Sequence, residues 1–228
     1  MPYNTDRIDA DDLEARLSRI SHDLRTPLAR LRMEIEVSNL PQTARLGIDE
    51  DIAHIDYCFK QLMEYARPAR AMPSVATDVS AKLVKLCDSE RRHAESLGVD
   101  LRVQLAPNLK SRVPVRSIGV MVRQLIDNAL RYGRSSDEKS RVDLSLYAEK
   151  TALIITVSDH GVGIPAKDIP RLKQPFFRGK SMQHFGDCVG LGLGLPIVER
   201  LLSQMGGALH LSNRDTGGLT ARVELPIA

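Results

Sequence analysis

The sequence has no tryptophan, and aromatic residues make up only 4% of it. Its three cysteines, Cys58, Cys87 and Cys188, lie far apart with no CxxC pair. An odd, scattered set gives neither a disulfide framework nor a zinc site, and it fits a reducing compartment. No charge of one sign prevails: 32 basic against 29 acidic side chains leave +3, too balanced for a nucleic-acid binder driven by field alone. Long apolar runs are missing as well. The longest, Ala152 to Val157, is far shorter than a membrane span. The opening Met1-Pro2-Tyr3-Asn4-Thr5-Asp6 has no charged-then-apolar leader. What is present is a chain of 228 residues, 43% hydrophobic and 27% charged. That excludes a wholly disordered chain and suits one or two soluble domains.

Two styles of sequence meet near Pro68. Before it, Leu13, Leu17, Ile20, Leu24, Leu28, Leu31 and Ile35 recur at helical spacing and draw one apolar stripe. Leu40-Pro41-Gln42-Thr43 interrupts the pattern, which resumes at Ile48, Ile52, Ile55, Phe59 and Leu62. Two such helices form an antiparallel hairpin with too little core to stand alone, so a homodimeric four-helix bundle is expected. This hairpin is assigned residues 1–67, and the proline-bearing stretch 68–77 reads as a hinge.

Over 78–228 helical and strand patterns alternate. Val79 to Glu95 and Val115 to Tyr132 read as helices, and Asp100 to Leu105 as a half-buried strand. Val142 to Ala148 and Ala152 to Val157 read as adjacent strands, and a helix is expected from about Leu195 to Met205. Gly206-Gly207 stops that helix before closing strands at Ala208 to Asn213 and Leu219 to Leu225. The class is α+β: a helical hairpin followed by a sandwich with helices on one face of a mixed sheet.

On the first helix stands Ser21-His22-Asp23-Leu24-Arg25-Thr26-Pro27-Leu28. His22 falls two residues from Ile20 and Leu24, about 200° around from each, which puts it opposite the apolar stripe. Thr26 lies one turn on along the same face. Asp23 can accept from one imidazole nitrogen and leave the other as a nucleophile. Pro27 deprives the Asp23 carbonyl of its helical partner, so a kink is expected there. An exposed histidine beside a bent helix is the plainer reading, and this stretch alone does not decide between them.

Four further stretches converge on nucleotide chemistry. In Leu125-Ile126-Asp127-Asn128-Ala129-Leu130-Arg131-Tyr132, Asn128 offers an oxygen to a cation such as Mg²⁺. Arg131 offers charge to phosphates and Tyr132 a ring beside a base. In Asp159-His160-Gly161-Val162-Gly163-Ile164 a carboxylate at a strand end, followed by glycines, can hold the amino edge of adenine. Gln174-Pro175-Phe176-Phe177-Arg178-Gly179 opens an aperiodic stretch reaching Val189, the composition of a lid. Gly190-Leu191-Gly192-Leu193-Gly194-Leu195 runs directly into a helix whose N-terminus can cradle phosphate. It follows no strand, so a Rossmann fingerprint is excluded. Each stretch alone reads more plainly as structure; the order of the four carries the argument.

From about Leu13 to Pro226 the chain resembles the cytoplasmic core of a bacterial sensor histidine kinase. Such cores join a phosphoacceptor hairpin of the HisKA type to a Bergerat (GHKL) ATP-binding domain. The boxes at Ser21–Leu28 and Gln174–Gly179 look most like the osmosensor, EnvZ-type branch and its RisS-like relatives. The resemblance implies that His22 is phosphorylated from ATP, with Asp23 as base or orienting acceptor. It implies that Thr26 positions a water for dephosphorylating a response regulator. Asn128 would ligate Mg²⁺ and Asp159 would read adenine. Arg131, Tyr132, Gly161, Gly163, Ile164, Phe177, Arg178, Gly190, Leu191, Gly192, Leu193 and Gly194 would complete the nucleotide site. A receiver domain of a response regulator and a second copy of the chain are the implied partners. The implied place is the cytoplasmic face of the inner membrane, reached through segments absent here.

Three positions depart from the family pattern: Gln124 for an asparagine, Leu191 for a hydroxyl residue and Pro196 for a small one. A silenced nucleotide-binding scaffold or a phosphatase-only regulator is the leading alternative. A gyrase-like or chaperone-like clamp ranks lower, because it lacks the His-Asp-x-x-Thr-Pro hairpin and commonly has glutamate where Gln124 lies.

Overall fold

Alternation of period two along 141–149 and 219–226 buries Val142, Leu144 and Leu146 on one strand and Ala221, Val223 and Leu225 on the other. It turns Asp143, Ser145, Arg222 and Glu224 to the opposite face of the same sheet. The computed structural model describes residues 10–67, 72–73, 75–133, 140–179 and 190–227, with backbone alone at 10–18 and 21–22. These fall into two compact units, one of them the first two helices with residues 190–193, the other the remainder of the described chain.

In the first unit α1 spans Ala10–Val37 and α2 spans Gln42–Ala66, packed on each other as a hairpin. The Ser38 hydroxyl and backbone N–H both bond the Ile35 carbonyl, and Arg45 Nη2 reaches the Ser38 carbonyl at 3.1 Å. Carbonyls orphaned by the helix end are thereby satisfied. The helix continues through Pro27, as the interior position of that proline in α1 records. The apolar stripe is only partly covered within one chain. Ile35 and Ile52 are buried, whereas Ile20, Leu31, Ile48 and Ile55 remain exposed.

In the second unit the elements are β1 (Thr77–Asp78), α3 (Val79–Ser96), β2 (Asp100–Leu105), β3 (Lys110–Ser111), α4 (Val115–Tyr132), β4 (Arg141–Glu149), β5 (Ala152–Asp159), a 3₁₀ turn (Ile169–Arg171), α5 (Gly194–Gln204), β6 (Ala208–Asn213) and β7 (Leu219–Pro226). The main sheet runs β2-β4-β5-β7-β6, parallel at β2–β4 and antiparallel elsewhere. Leu83 and Cys87 of α3, Ile118 to Ala129 of α4, and Val198 and Leu202 of α5 join the inward strand residues in one core. Burial pushes the Cys87 thiol up to about 11, so it behaves as a small apolar side chain. The other face carries polar pairs. Ser145 meets Thr156 at 2.6 Å, and Arg222 bonds Glu149, Glu224 and the Tyr147 hydroxyl. Among the described residues no helix is long and apolar enough to cross a membrane.

The sequence pattern does not reveal the small antiparallel pair β1–β3, whose two-residue strands are too short to show a period. It is secured by α3. Asp78 caps that helix by accepting from Ala81 N–H, and Val79 N–H bonds the Leu109 carbonyl at 2.8 Å. Buried Ser80 donates to the Ala106 carbonyl at 2.7 Å and accepts from Leu109 N–H at 3.0 Å. Ser80→Ala strands both backbone groups, and urea unfolding should show a loss of about 1–3 kcal/mol; an unchanged midpoint would contradict this account.

Candidate functional site

The period that buries Ile118, Met121, Leu125 and Ala129 leaves Gln124, Asp127, Asn128, Arg131 and Tyr132 half-buried along the flank of α4. Gln124 and Asn128 lie one turn apart and both face the start of α5. A Cβ at Gly194 would stand 3.1 Å from Gln124 Oε1 and 3.2 Å from both amide atoms of Asn128. A residue without a side chain lets the two amides approach that closely. The first N–H groups of a helix have no intrahelical partners, so amides and helix start together gather donors and acceptors of the kind that suit phosphate oxygens and a hard cation. Pro196, inside the first turn of α5, is tolerated there because its missing N–H is one of those orphans. Arg131, read from the sequence as a phosphate ligand, has Nε 3.2 Å from Asp127 Oδ2. Burial raises the Tyr132 hydroxyl pKa, opposed by the nearby charges of Arg131 and Arg178, so Tyr132 and the lid-box arginine share surroundings.

Asp159 ends β5 with its side chain buried. Its Oδ1 accepts from Gly161 N–H at 3.0 Å and from Leu219 N–H at 3.1 Å. Among the described residues Oδ2 takes no such bond. Glycines let the chain pack closely on every side. A Cβ at Gly133 would collide with the Asp159 side chain, one at Gly218 with its backbone carbonyl, and one at Gly161 with Gly133. Burial raises the Asp159 pKa, and the amide bonds from Gly161 and Leu219 with the charge of Arg214 offset part of that. Next to it His160 Nε2 lies 2.7 Å from Asp143 Oδ2. Burial would raise Asp143, but bonds from Arg141 and His160 outweigh it and hold the carboxyl below its usual range.

In the lid box, the Arg171 guanidinium lies over the Phe177 ring at 4.1 Å, whereas Phe176 is 61% exposed at φ 63°. Residues 180–189 of the expected lid, Cys188 among them, lie outside the described residues, as do 68–71 and 74 of the expected hinge. Thus Asn128, Arg131, Tyr132, Asp159, Gly161, Gly163, Ile164, Phe177, Arg178 and Gly194 share the second unit. Gly190, Leu191, Gly192 and Leu193 are grouped with the helical hairpin, where a Cβ at Gly190 would meet the Tyr57 ring at 3.0 Å. His22 lies on α1, its side chain outside the described residues, and Asp23 and Thr26 are exposed on the same helix.

Sequence reasoning missed Gly133, Asn213, Arg214, Gly217 and Gly218, all of which hold or clear space for the loop after Asp159. The signal was a turn-forming string between two strands, which announces a hairpin and not what its side chains reach.

The residues fit a purine nucleotide with a divalent cation: a buried carboxylate with one uncommitted oxygen, a backbone that glycines let pack closely around it, and paired amides at a helix start. The raised pKa of Asp159 carries a stability consequence. The folded chain holds the proton more tightly than the unfolded one, so stability falls as pH rises from the unfolded value near ~4 through the folded value. Asp159→Asn keeps an oxygen for the two amides and removes the ionisation. Its urea midpoint at pH 7 should equal or exceed that of the parent chain, with the difference closing in acid; a lower midpoint at pH 7 would refute the burial argument.

A family model described as histidine kinase-, DNA gyrase B-, and HSP90-like ATPase matches residues 115–228. Sensor histidine kinase GtrS of Pseudomonas aeruginosa is 29% identical over 212 residues, 92% of this chain and 41% of that protein. Sensor protein RstB of Escherichia coli is 29% identical over 213 residues, 91% of this chain and 47% of that protein. The chain therefore spans less than half the length of these curated relatives. Among solved structures, full-length ShkA in complex with AMPPNP superposes with a TM-score of 0.71 at 21% identity, covering 94% of this chain and 46% of that one. Histidine kinase AdeS of Acinetobacter baumannii superposes with a TM-score of 0.59 at 20% identity, covering 90% of this chain and 98% of that one. These two likenesses are likenesses of fold, and they join α+β architecture and mixed sheet to the sequence match over 115–228. The chain belongs to the family of histidine kinase-, DNA gyrase B- and HSP90-like ATPases.

Proposed function

We propose that this chain is the catalytic part of a sensor histidine kinase, binding Mg-ATP and moving its γ-phosphoryl group to His22. The observation that carries the nucleotide reading is the buried Asp159 carboxylate, with Oδ1 taken by two amides and Oδ2 open to a donor. Such an oxygen suits the 6-amino group of adenine. Gln124, Asn128 and the first amides of α5 receive the phosphates, and Tyr132 with Arg178 lines the base side. A magnesium ion held through Asn128 supplies charge neutralisation on the phosphates.

Transfer is in line. A lone pair on a His22 ring nitrogen forms the N–P bond as the bond from the γ-phosphorus to its bridging oxygen breaks, and ADP leaves with that electron pair. Asp23 orients the ring or takes its proton. The phosphoryl group then passes to an aspartate on the receiver domain of a response regulator, and Thr26 positions a water that hydrolyses the aspartyl phosphate, releasing inorganic phosphate and the free carboxylate. We assign residues 1–67 to a HisKA-type dimerisation and phosphoacceptor hairpin, 68–77 to a hinge and 78–228 to the ATP-binding domain. The boxes around His22 and Phe177 favour the EnvZ-type branch. Exposed Ile20, Leu31, Ile48 and Ile55 of the apolar stripe support a homodimer, since a second hairpin would cover them. In a longer protein this part would lie on the cytoplasmic side of the inner membrane.

The decisive experiment supplies γ-labelled Mg-ATP to the chain beside His22→Gln and Asn128→Ala. Acid-labile, alkali-stable label is expected in the parent and in neither variant. Nucleotide binding without any labelling would favour the silenced scaffold, for which Gln124 in place of asparagine is the specific observation. Thr26→Ala is expected to keep autophosphorylation and lose dephosphorylation of the regulator; undiminished release of phosphate from the regulator would remove Thr26 from that role.

A further inference from the structure

The loop from Asp159 to Ile164 is held from outside by the turn between β6 and β7. Ile164 is buried, and both its backbone groups need partners away from water. Asn213, the last residue of edge strand β6, supplies them: Oδ1 accepts from Ile164 N–H at 2.9 Å and Nδ2 donates to the Ile164 carbonyl at 2.6 Å. The side-chain amide thus pairs with the loop as another strand would. Gly163 adopts φ +73°, and a Cβ there would stand 3.0 Å from Asn213 Oδ1, so loop and amide are fitted to each other. At the other end of the loop Arg214 Nη1 donates to the Asp159 carbonyl at 2.9 Å. The turn bearing Arg214 is itself closed by Arg214 N–H to the Gly218 carbonyl at 3.0 Å and Gly217 N–H to the Arg214 carbonyl at 3.1 Å. Two consecutive residues therefore grip both ends of the segment that aims the carboxylate.

We propose that Asn213 and Arg214 are positioning residues that set the purine selectivity of the nucleotide site. This rests on the nucleotide reading above. A carboxylate oxygen accepts from a 6-amino group and repels a 6-oxo group, but it discriminates only while its direction is fixed. A loop released at Ile164 or at the Asp159 carbonyl can turn, lose the bond to adenine and present a backbone N–H to guanine. The phosphate side, built on α4 and α5, does not depend on this grip.

The test is equilibrium binding of Mg-ATP, Mg-GTP and inorganic tripolyphosphate to the whole 228-residue chain by titration calorimetry. The parent should bind ATP well above GTP. Asn213→Leu, similar in shape but without polar atoms, should weaken ATP roughly tenfold, the scale of one or two lost hydrogen bonds. GTP and tripolyphosphate should stay within about twofold, so that the ATP-to-GTP ratio collapses. Asn213→Asp, which retains the acceptor, should fall between parent and Asn213→Leu. Arg214→Met reports on the other end of the loop and carries the test should Asn213→Leu not fold. An unchanged ratio in these variants overturns the proposal, as does an equal loss for all three ligands, the mark of a merely structural role. A parent that binds ATP and GTP alike also overturns it while sparing ATP binding itself. A parent that binds neither nucleotide overturns the nucleotide reading and this inference together.

Discussion

A carboxylate taken out of water must be met by hydrogen-bond donors or it destabilises the fold that holds it, and that requirement organises the second unit around Asp159. Its Oδ1 is satisfied by two backbone amides contributed by separate segments, the loop that follows it and the first residue of β7. For both amides to reach, Gly133, Gly161 and Gly218 must lack side chains, and Gly218 must accept φ +93°. The end of α4, the loop after β5 and the turn before β7 meet at this one group. Its remaining oxygen is the one that the proposed function gives to adenine.

The hairpin is under a different constraint. Its helices share one apolar seam, yet several of the seam residues stay in contact with water in a single copy. The C-terminal end of α1 is satisfied locally by Ser38 and Arg45. What it lacks is covered apolar area, the usual reason for such a motif to be stable as part of a larger bundle.

Much of this was legible in the residues. Period 3.6 marked α3, α4 and α5, and period two marked β4 and β7, because one face of each is buried in a common core, whereas β5 showed as a continuous apolar run whose Leu153, Ile154 and Ile155 are all buried. The string from Asp159 to Ile164 showed its chemistry because the residues that define it are neighbours in sequence. The grip of Asn213 on Ile164 spans 49 positions and leaves no local trace. The same holds for Ser80, whose partners Ala106 and Leu109 lie beyond a whole helix and strand. Arg131 was legible as a charge on the flank of α4, but its pairing with Asp127, one turn earlier, was not singled out.

The strand order has a kinetic meaning. Hairpins β4–β5 and β6–β7 join neighbours and close with small loops, whereas β5–β7 must bring together residues such as Ser158 and Thr220, 62 positions apart. Closing the longer loop carries the larger entropy cost and belongs late in assembly. That same pairing delivers Leu219 N–H to Asp159, so the buried carboxylate gains its second amide with this late seam of the sheet. On the proposed nucleotide reading, a chain whose β5–β7 seam is unformed lacks an amide that fixes this carboxylate, and nucleotide capture becomes a report of completed folding.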